Sequence, residues 1–187
     1  MNVKHLIGIY IGMLLAGLAL AALWHDGAVA AYFIIKRNPS IAITSAITVP
    51  WLQCLSIFLG NLLVDSLLTV GLMLVWDWKA TVPVLSLSVG TNGFILGVVG
   101  GMAALKYGAL ATVGALVTHG IPEMASHFIA CGACIYGLVQ LRAARGANLA
   151  AIVKRNMRVL LGTCIPLLLV AAVLETFVSP AILAAMT

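Results

Sequence analysis

The sequence predicts an all-α, polytopic transmembrane bundle of about five spans. Three observations carry this. Five apolar segments are each long enough to cross a bilayer core of about 30 Å, which takes a helix of about 20 residues. Hydrophobic residues make up 63% of the 187-residue chain and charged residues 8%, against roughly 25% charged in a soluble domain. Strand-like alternation is absent and the spans exceed barrel-strand length, which excludes a transmembrane barrel. The whole chain, 1–187, reads as one membrane domain with no water-soluble module.

The candidate spans are Leu6–Trp24, Trp51–Val75, Pro83–Leu105, Ile121–Leu141 and Val159–Val178. The first, with Lys4 ahead of it and small residues at Ala19 and Ala21, also has the layout of a secretion signal. It is read as a retained helix. Between the first two spans lie two short apolar runs, Ala28–Ile35 and Ile41–Val49, split by Lys36, Arg37, Asn38 and Pro39. Neither can cross a membrane, so they are expected as interfacial helices or an extension of the second span. Pro50 suits the first turn of that span. The run Trp76-Asp77-Trp78-Lys79 reads as an interfacial anchor.

Gly93, Gly97 and Gly101 recur every four residues, as do Gly8, Gly12 and Ala16. Small residues at this spacing let helix backbones approach closely, within the chain or across a homodimer seam. Lys106–Thr118 is apolar but too short to cross. A re-entrant hairpin is expected there, with a short sixth helix as the alternative, because a sixth crossing would divide the basic residues between the two faces.

Charge sets the orientation. With the N-terminus cytoplasmic, Lys4, Lys79, Arg142, Arg145, Lys154, Arg155 and Arg158 fall inside, and Lys36, Arg37 and Lys106 outside. This favours an N-in, C-out, multi-pass protein of the cytoplasmic membrane. The basic loop of Arg142, Arg145, Lys154, Arg155 and Arg158 reads as a topology determinant beside anionic headgroups, with a docking site for a cytoplasmic partner as the sharper reading. Nucleic acid is not an expected partner, since these residues flank spans rather than form a surface interleaved with aromatics.

Polar residues inside spans are costly and need a reason. Asn61, Asp65 and Thr69 share one helical face and are expected either in an interhelical hydrogen-bonded seam or along a polar pathway. In the run Thr118–Glu123, Gly120 permits a turn, Pro122 suits the first turn of a helix, and Glu123 then meets the positive helix end. Glu123, His127, Cys131 and Cys134 form a stripe on the following helix. His119 would precede that helix and no second ligand-rich segment is evident, so the stripe is read as a polar seam, and neither a metal nor a cofactor is expected. The four cysteines all lie in spans and read as buried thiols. Glu175 falls about 24 Å above Val159 along its helix, at a depth similar to His119 and Glu123. These three side chains are expected to converge.

Three elements make the chain resemble the stage II sporulation protein M family of membrane proteins. They are Ile57-Phe58-Leu59-Gly60-Asn61-Leu62, then His119-Gly120-Ile121-Pro122-Glu123 with its small-residue helix through Gly132 and Gly137, then Ala171-Ala172 with Glu175, Phe177 and Pro180. Asn92-Gly93 with Gly97 adds to them. The family's usual proline before the histidine is Thr118 here. In spore formers the family's namesake belongs to a membrane complex with peptidoglycan-degrading partners and looks like its scaffold. Relatives also occur in organisms that never sporulate.

The resemblance and the small-residue seams imply a non-enzymatic membrane protein that assembles with other membrane proteins, a homo-oligomer included. No phosphate-binding loop, nucleotide motif or adjacent His–Glu zinc motif is present, and no catalytic residue is assigned. A transporter or channel component using the intramembrane acids is the alternative, and an intramembrane enzyme built on His119 and Glu123 a second one.

Overall fold

The computed structural model describes residues 2–37, 39–72, 78–143 and 148–186, without the side chains of residues 39–41 and 78. These residues form helices and no strand. They are α1 (Val3–Leu23), α2 (His25–Lys36), α3 (Pro39–Ala46), α4 (Pro50–Gly71), α5 (Trp78–Tyr107), α6 (Ala109–Ala143) and α7 (Leu149–Met186). Five of them, α1, α4, α5, α6 and α7, are long and apolar enough to cross a membrane. Arg145 and the Trp76–Asp77 part of the expected anchor lie outside the described residues.

Local chemistry sets the helix ends. Asn2 caps α1 by accepting from the His5 amide at 3.2 Å, which satisfies a donor that has no partner within the helix. Trp24 leaves helical geometry and separates α1 from α2. Val49 is extended and Pro50 opens α4. Asn148 caps α7 through the Ala151 amide at 3.2 Å.

The expected hairpin at Lys106–Thr118 is replaced by something simpler. Gly108, at φ +86°, makes the whole reversal in one residue, because only glycine enters the left-handed region without steric cost. Lys106 and Tyr107 finish α5, and Ala109–Thr118 are the first turns of α6. Neither a re-entrant segment nor a sixth helix forms. It follows that Thr118–Glu123 is neither a turn nor a helix start. Gly120 and Pro122 lie inside the 35-residue α6, and Glu123 is well removed from the helix end.

The last span is also longer than Val159–Val178, reaching from Leu149 to Met186. It contains π turns at Leu160–Cys164 and Leu174–Val178. Each ends two residues before a proline, Pro166 or Pro180. A proline ring displaces the carbonyl four residues earlier and gives its own position no donor, so the preceding turn widens. A third π turn, Leu67–Gly71, closes α4.

Helix α1 packs along α5 on the expected glycines. A Cβ at Gly93 would stand 2.5 Å from the Tyr10 carbonyl, and one at Gly97 would collide with that of Leu14. The partner stripe differs from expectation. Gly17 takes the contact, facing Phe94 and Val98, while Gly8 and Gly12 have open space beside them. The apolar core gathers Leu6, Leu68, Leu85, Val89, Cys131, Cys134, Ile135, Leu160 and Cys164. The cysteines are free and buried, as expected.

Candidate functional site

The interior of α4, α5, α6 and α7 carries three polar groups, one at the middle of α6 and one toward each of its ends. Ser126 is the midpoint of α6 and is buried, as are the adjacent His127 and Asp65 on α4. Ser126 Oγ donates to Asp65 Oδ2 at 2.5 Å. His127 Nδ1 lies 3.0 Å from Asp65 Oδ1. With Nδ1–H donating to the carboxylate, Nε2 remains an acceptor. The Asn92 amide and the Ser88 hydroxyl of α5, each 3.4 Å away, supply donors to it. The backbone carbonyl of Cys164, in an α7 π turn, lies 3.4 Å from Ser126 Oγ. One buried acid thus cross-links α4 to α6, and α6 in turn to α5.

Asn61, Asp65, Asn92, Glu123 and His127 enclose a cavity of about 40 Å³, closed on other sides by Val64, Met124 and Leu168. That is room for about two or three waters or one ion. A larger apolar groove, about 460 Å³, opens between α1, α5 and α6 past Leu14, Leu96 and Leu116.

The second group lies two turns along α6. Asn156 of α7 is fully buried. Its Nδ2 donates to the Thr69 carbonyl at 2.9 Å and the Ala133 carbonyl at 3.2 Å. Its Oδ1 accepts from Arg155 Nη2 at 2.8 Å. Arg155 also donates to Gln140 at 2.9 Å and stacks on Tyr136, 4.1 Å from the ring centroid. Arg155 is therefore folded onto the bundle, whereas Arg142, Lys154 and Arg158 stay exposed. The Thr69 hydroxyl turns back to its own helix, donating to the Asp65 carbonyl at 2.5 Å.

The third group lies toward the opposite end. His119 and Glu123 are four residues apart on one face of α6, and Glu175 comes from the second α7 π turn. A ring nitrogen of His119 and an oxygen of each carboxylate all lie within 4.8 Å of one another. The three side chains converge as expected. His119 lies within α6 rather than ahead of it, which removes one premise on which a metal was not expected. His119 Nδ1 lies 2.9 Å from the Ala115 carbonyl and 2.9 Å from Ser179 Oγ. Ser179 also donates to Ala115 at 2.9 Å and meets Thr118 at 3.2 Å. Two ionised carboxylates this close repel by about 3.5 kcal/mol or more at an effective dielectric of about 20. Among the described residues no Lys or Arg pairs with them.

Of the residues the sequence singled out, Asp65, His127 and Asn92 form one network, and Asn61 and Glu123 border its cavity. Ser88, Ser126, Asn156 and Ser179 were missed. Serine and asparagine within an apolar helix give no periodic signal of their own. An Asp65–His127–Ser88 chain also exists that no sequence spacing announces.

Comparison with curated proteins and with solved structures gives no match. The family model of stage II sporulation protein M matches residues 3–180, so the match includes the N-terminal helices, which carried little of the resemblance. With five membrane-length helices and this match over nearly its whole length, the chain belongs to the stage II sporulation protein M family.

Proposed function

We propose that this multi-pass membrane protein is a non-enzymatic assembly component of a complex in the cytoplasmic membrane, with its N-terminus on the cytoplasmic side. The observation that carries the reading is how Asp65 is used. Both of its oxygens are occupied by partners on α6, and the space beside them is about 40 Å³. Such a centre braces helices and has no room for an organic solute. The family resemblance points to the same role, since the namesake looks like the scaffold of a complex in which partners do the cutting. Ser88 makes a poor nucleophile, because it sits inside α5, where neighbouring amides are spent on helical hydrogen bonds and cannot form an oxyanion hole.

Purification in mild detergent tests this reading. The protein is expected to bring defined membrane partners or a second copy with it. A chain that stays monomeric and without partners overturns it. Cysteines placed at Lys154 and Lys36 test the orientation. The first is expected to react with a membrane-impermeant reagent from the cytoplasmic side only and the second from the outside only.

A proton or small-cation path is the second reading. Its support is the extent of the polar groups along α6. From His119 to Gln140 is about 31 Å at 1.5 Å per residue, close to the thickness of a bilayer core. Asp65→Asn and Glu123→Gln would then abolish flux into liposomes while the fold stays intact. Equal flux in wild type and variants removes this reading.

A further inference from the structure

We propose that His119, Glu123 and Glu175 together bind one divalent transition-metal ion of the zinc class, in the polar space between α6 and α7. The inference is independent of any scaffolding role.

Four observations converge on it. The first is the donor set: one imidazole and two carboxylates with ligand atoms within 4.8 Å of one another. Mixed nitrogen and oxygen donors suit zinc, with bonds of about 2.0–2.2 Å, and small side-chain rotations close the remaining distance. An all-oxygen set would suit magnesium or calcium instead.

The second is the orientation of the histidine. Nδ1 is directed at the Ala115 carbonyl and Ser179 Oγ, both at 2.9 Å. A backbone carbonyl holding Nδ1–H fixes the tautomer and leaves the Nε2 lone pair for a ligand, as in most histidine metal sites. Ser179 and Thr118 both bond the same carbonyl, so the orienting group is itself held in place.

The third is charge. Two carboxylates sit in an apolar bundle, and no Lys or Arg pairs with either among the described residues. A divalent cation makes the set neutral, which is the condition under which buried charges persist. Protons would also neutralise the pair, with Nε2 accepting from a carboxylic acid, and retention of Zn²⁺ in the titration below separates the two cases.

The fourth is space. Glu123 borders the small polar cavity together with Asn61 and Asn92. A water there can complete a three-ligand site, the open arrangement seen where zinc has three protein ligands. Glu175 itself lies in the π turn that ends before Pro180.

The test uses the full chain in mild detergent, stripped with a chelator and then titrated with Zn²⁺ alone. About one equivalent per chain is expected to survive desalting, and the double variant Glu123→Gln/Glu175→Gln is expected to retain less than about a tenth of that. Ser179→Ala, which leaves all three ligands in place, is expected to weaken binding by about 10-fold. Helicity and elution volume show whether the variants fold. Should the double variant misfold, the wild type alone decides the matter with Co²⁺: visible d–d bands without a thiolate charge-transfer band support the site. A thiolate band, which would place the metal at Cys131 and Cys134, overturns the proposal. So does a wild type that holds no Zn²⁺ after desalting, or a folded double variant that still holds a full equivalent.

Discussion

Asp65 Oδ1 lies 3.0 Å from His127 Nδ1, joining two residues 62 positions apart in the chain. The same carboxylate accepts from Ser126. Removing the acid therefore strands two buried polar groups at once, and an unpaired buried donor costs about 1–3 kcal/mol. Asp65→Leu is expected to destabilise the protein by about 3–5 kcal/mol, read as a lower thermal midpoint in detergent. Asp65→Asn, which retains one acceptor, is expected to cost less. In a double-mutant cycle the coupling between Asp65→Asn and His127→Ala is expected to fall at about 1–3 kcal/mol. Strict additivity would mean that the two groups do not act together.

Asn156 offers an independent measure of the second network. Its amide joins the carbonyls of Thr69 and Ala133 from two other helices. Asn156→Leu should lower stability by about 2–4 kcal/mol, and the exposed Lys154→Ala, two residues earlier, should stay within about 0.5 kcal/mol. Chemical denaturation in mixed micelles reads both, and similar effects at the two positions would contradict the buried role of Asn156.

The glycines of α5 separate close packing within the chain from assembly. A Cβ at Gly97 has no room against Leu14 and Gly17, while one at Gly12 meets nothing within 4 Å. Gly97→Ala should destabilise the folded chain by about 1–3 kcal/mol. Gly12→Ala should leave the thermal midpoint of the monomer unchanged. A change in oligomeric mass with Gly12→Leu, measured by light scattering, would place that stripe at a seam between copies.

Gly108→Ala isolates backbone strain. A side chain there has open space, yet φ is +86°, so only the left-handed conformation opposes it. A loss of about 1–2 kcal/mol is expected, with Gly108→Asn falling between alanine and glycine. An alanine variant as stable as the parent would show that the reversal does not depend on this dihedral.

Much of the site was legible because its residues are rare in lipid. Asn61, Asp65, Glu123, His127 and Glu175 stand out in apolar runs, and spacing by four places Asn61, Asp65 and Thr69 on one face. The Thr118–Glu123 segment misled for a physical reason. Glycine and proline two residues apart, as Gly120 and Pro122 are, favour a turn in water. Here the four-residue spacing of His119 and Glu123 survives because the helix passes straight through, and the break falls at Gly108. No local feature of the sequence ranks one glycine above the other. The geometry around Gly108, where two long helices fold back on each other, makes the choice.

The amino-acid sequence alone determined that the chain is helical, that five segments can cross a membrane, and that a few ionisable groups need partners inside them. Those conclusions depend on composition and on the cost of exposing a backbone or a charge to lipid, and both are local properties. Only the tertiary structure decided which partners most of those groups take: Ser126 and His127 for Asp65, Thr69 and Ala133 for Asn156. Partner choice depends on how helices far apart in the chain rotate and shift against one another, here set by glycine contacts and proline-linked π turns, and no sequence period encodes that alignment.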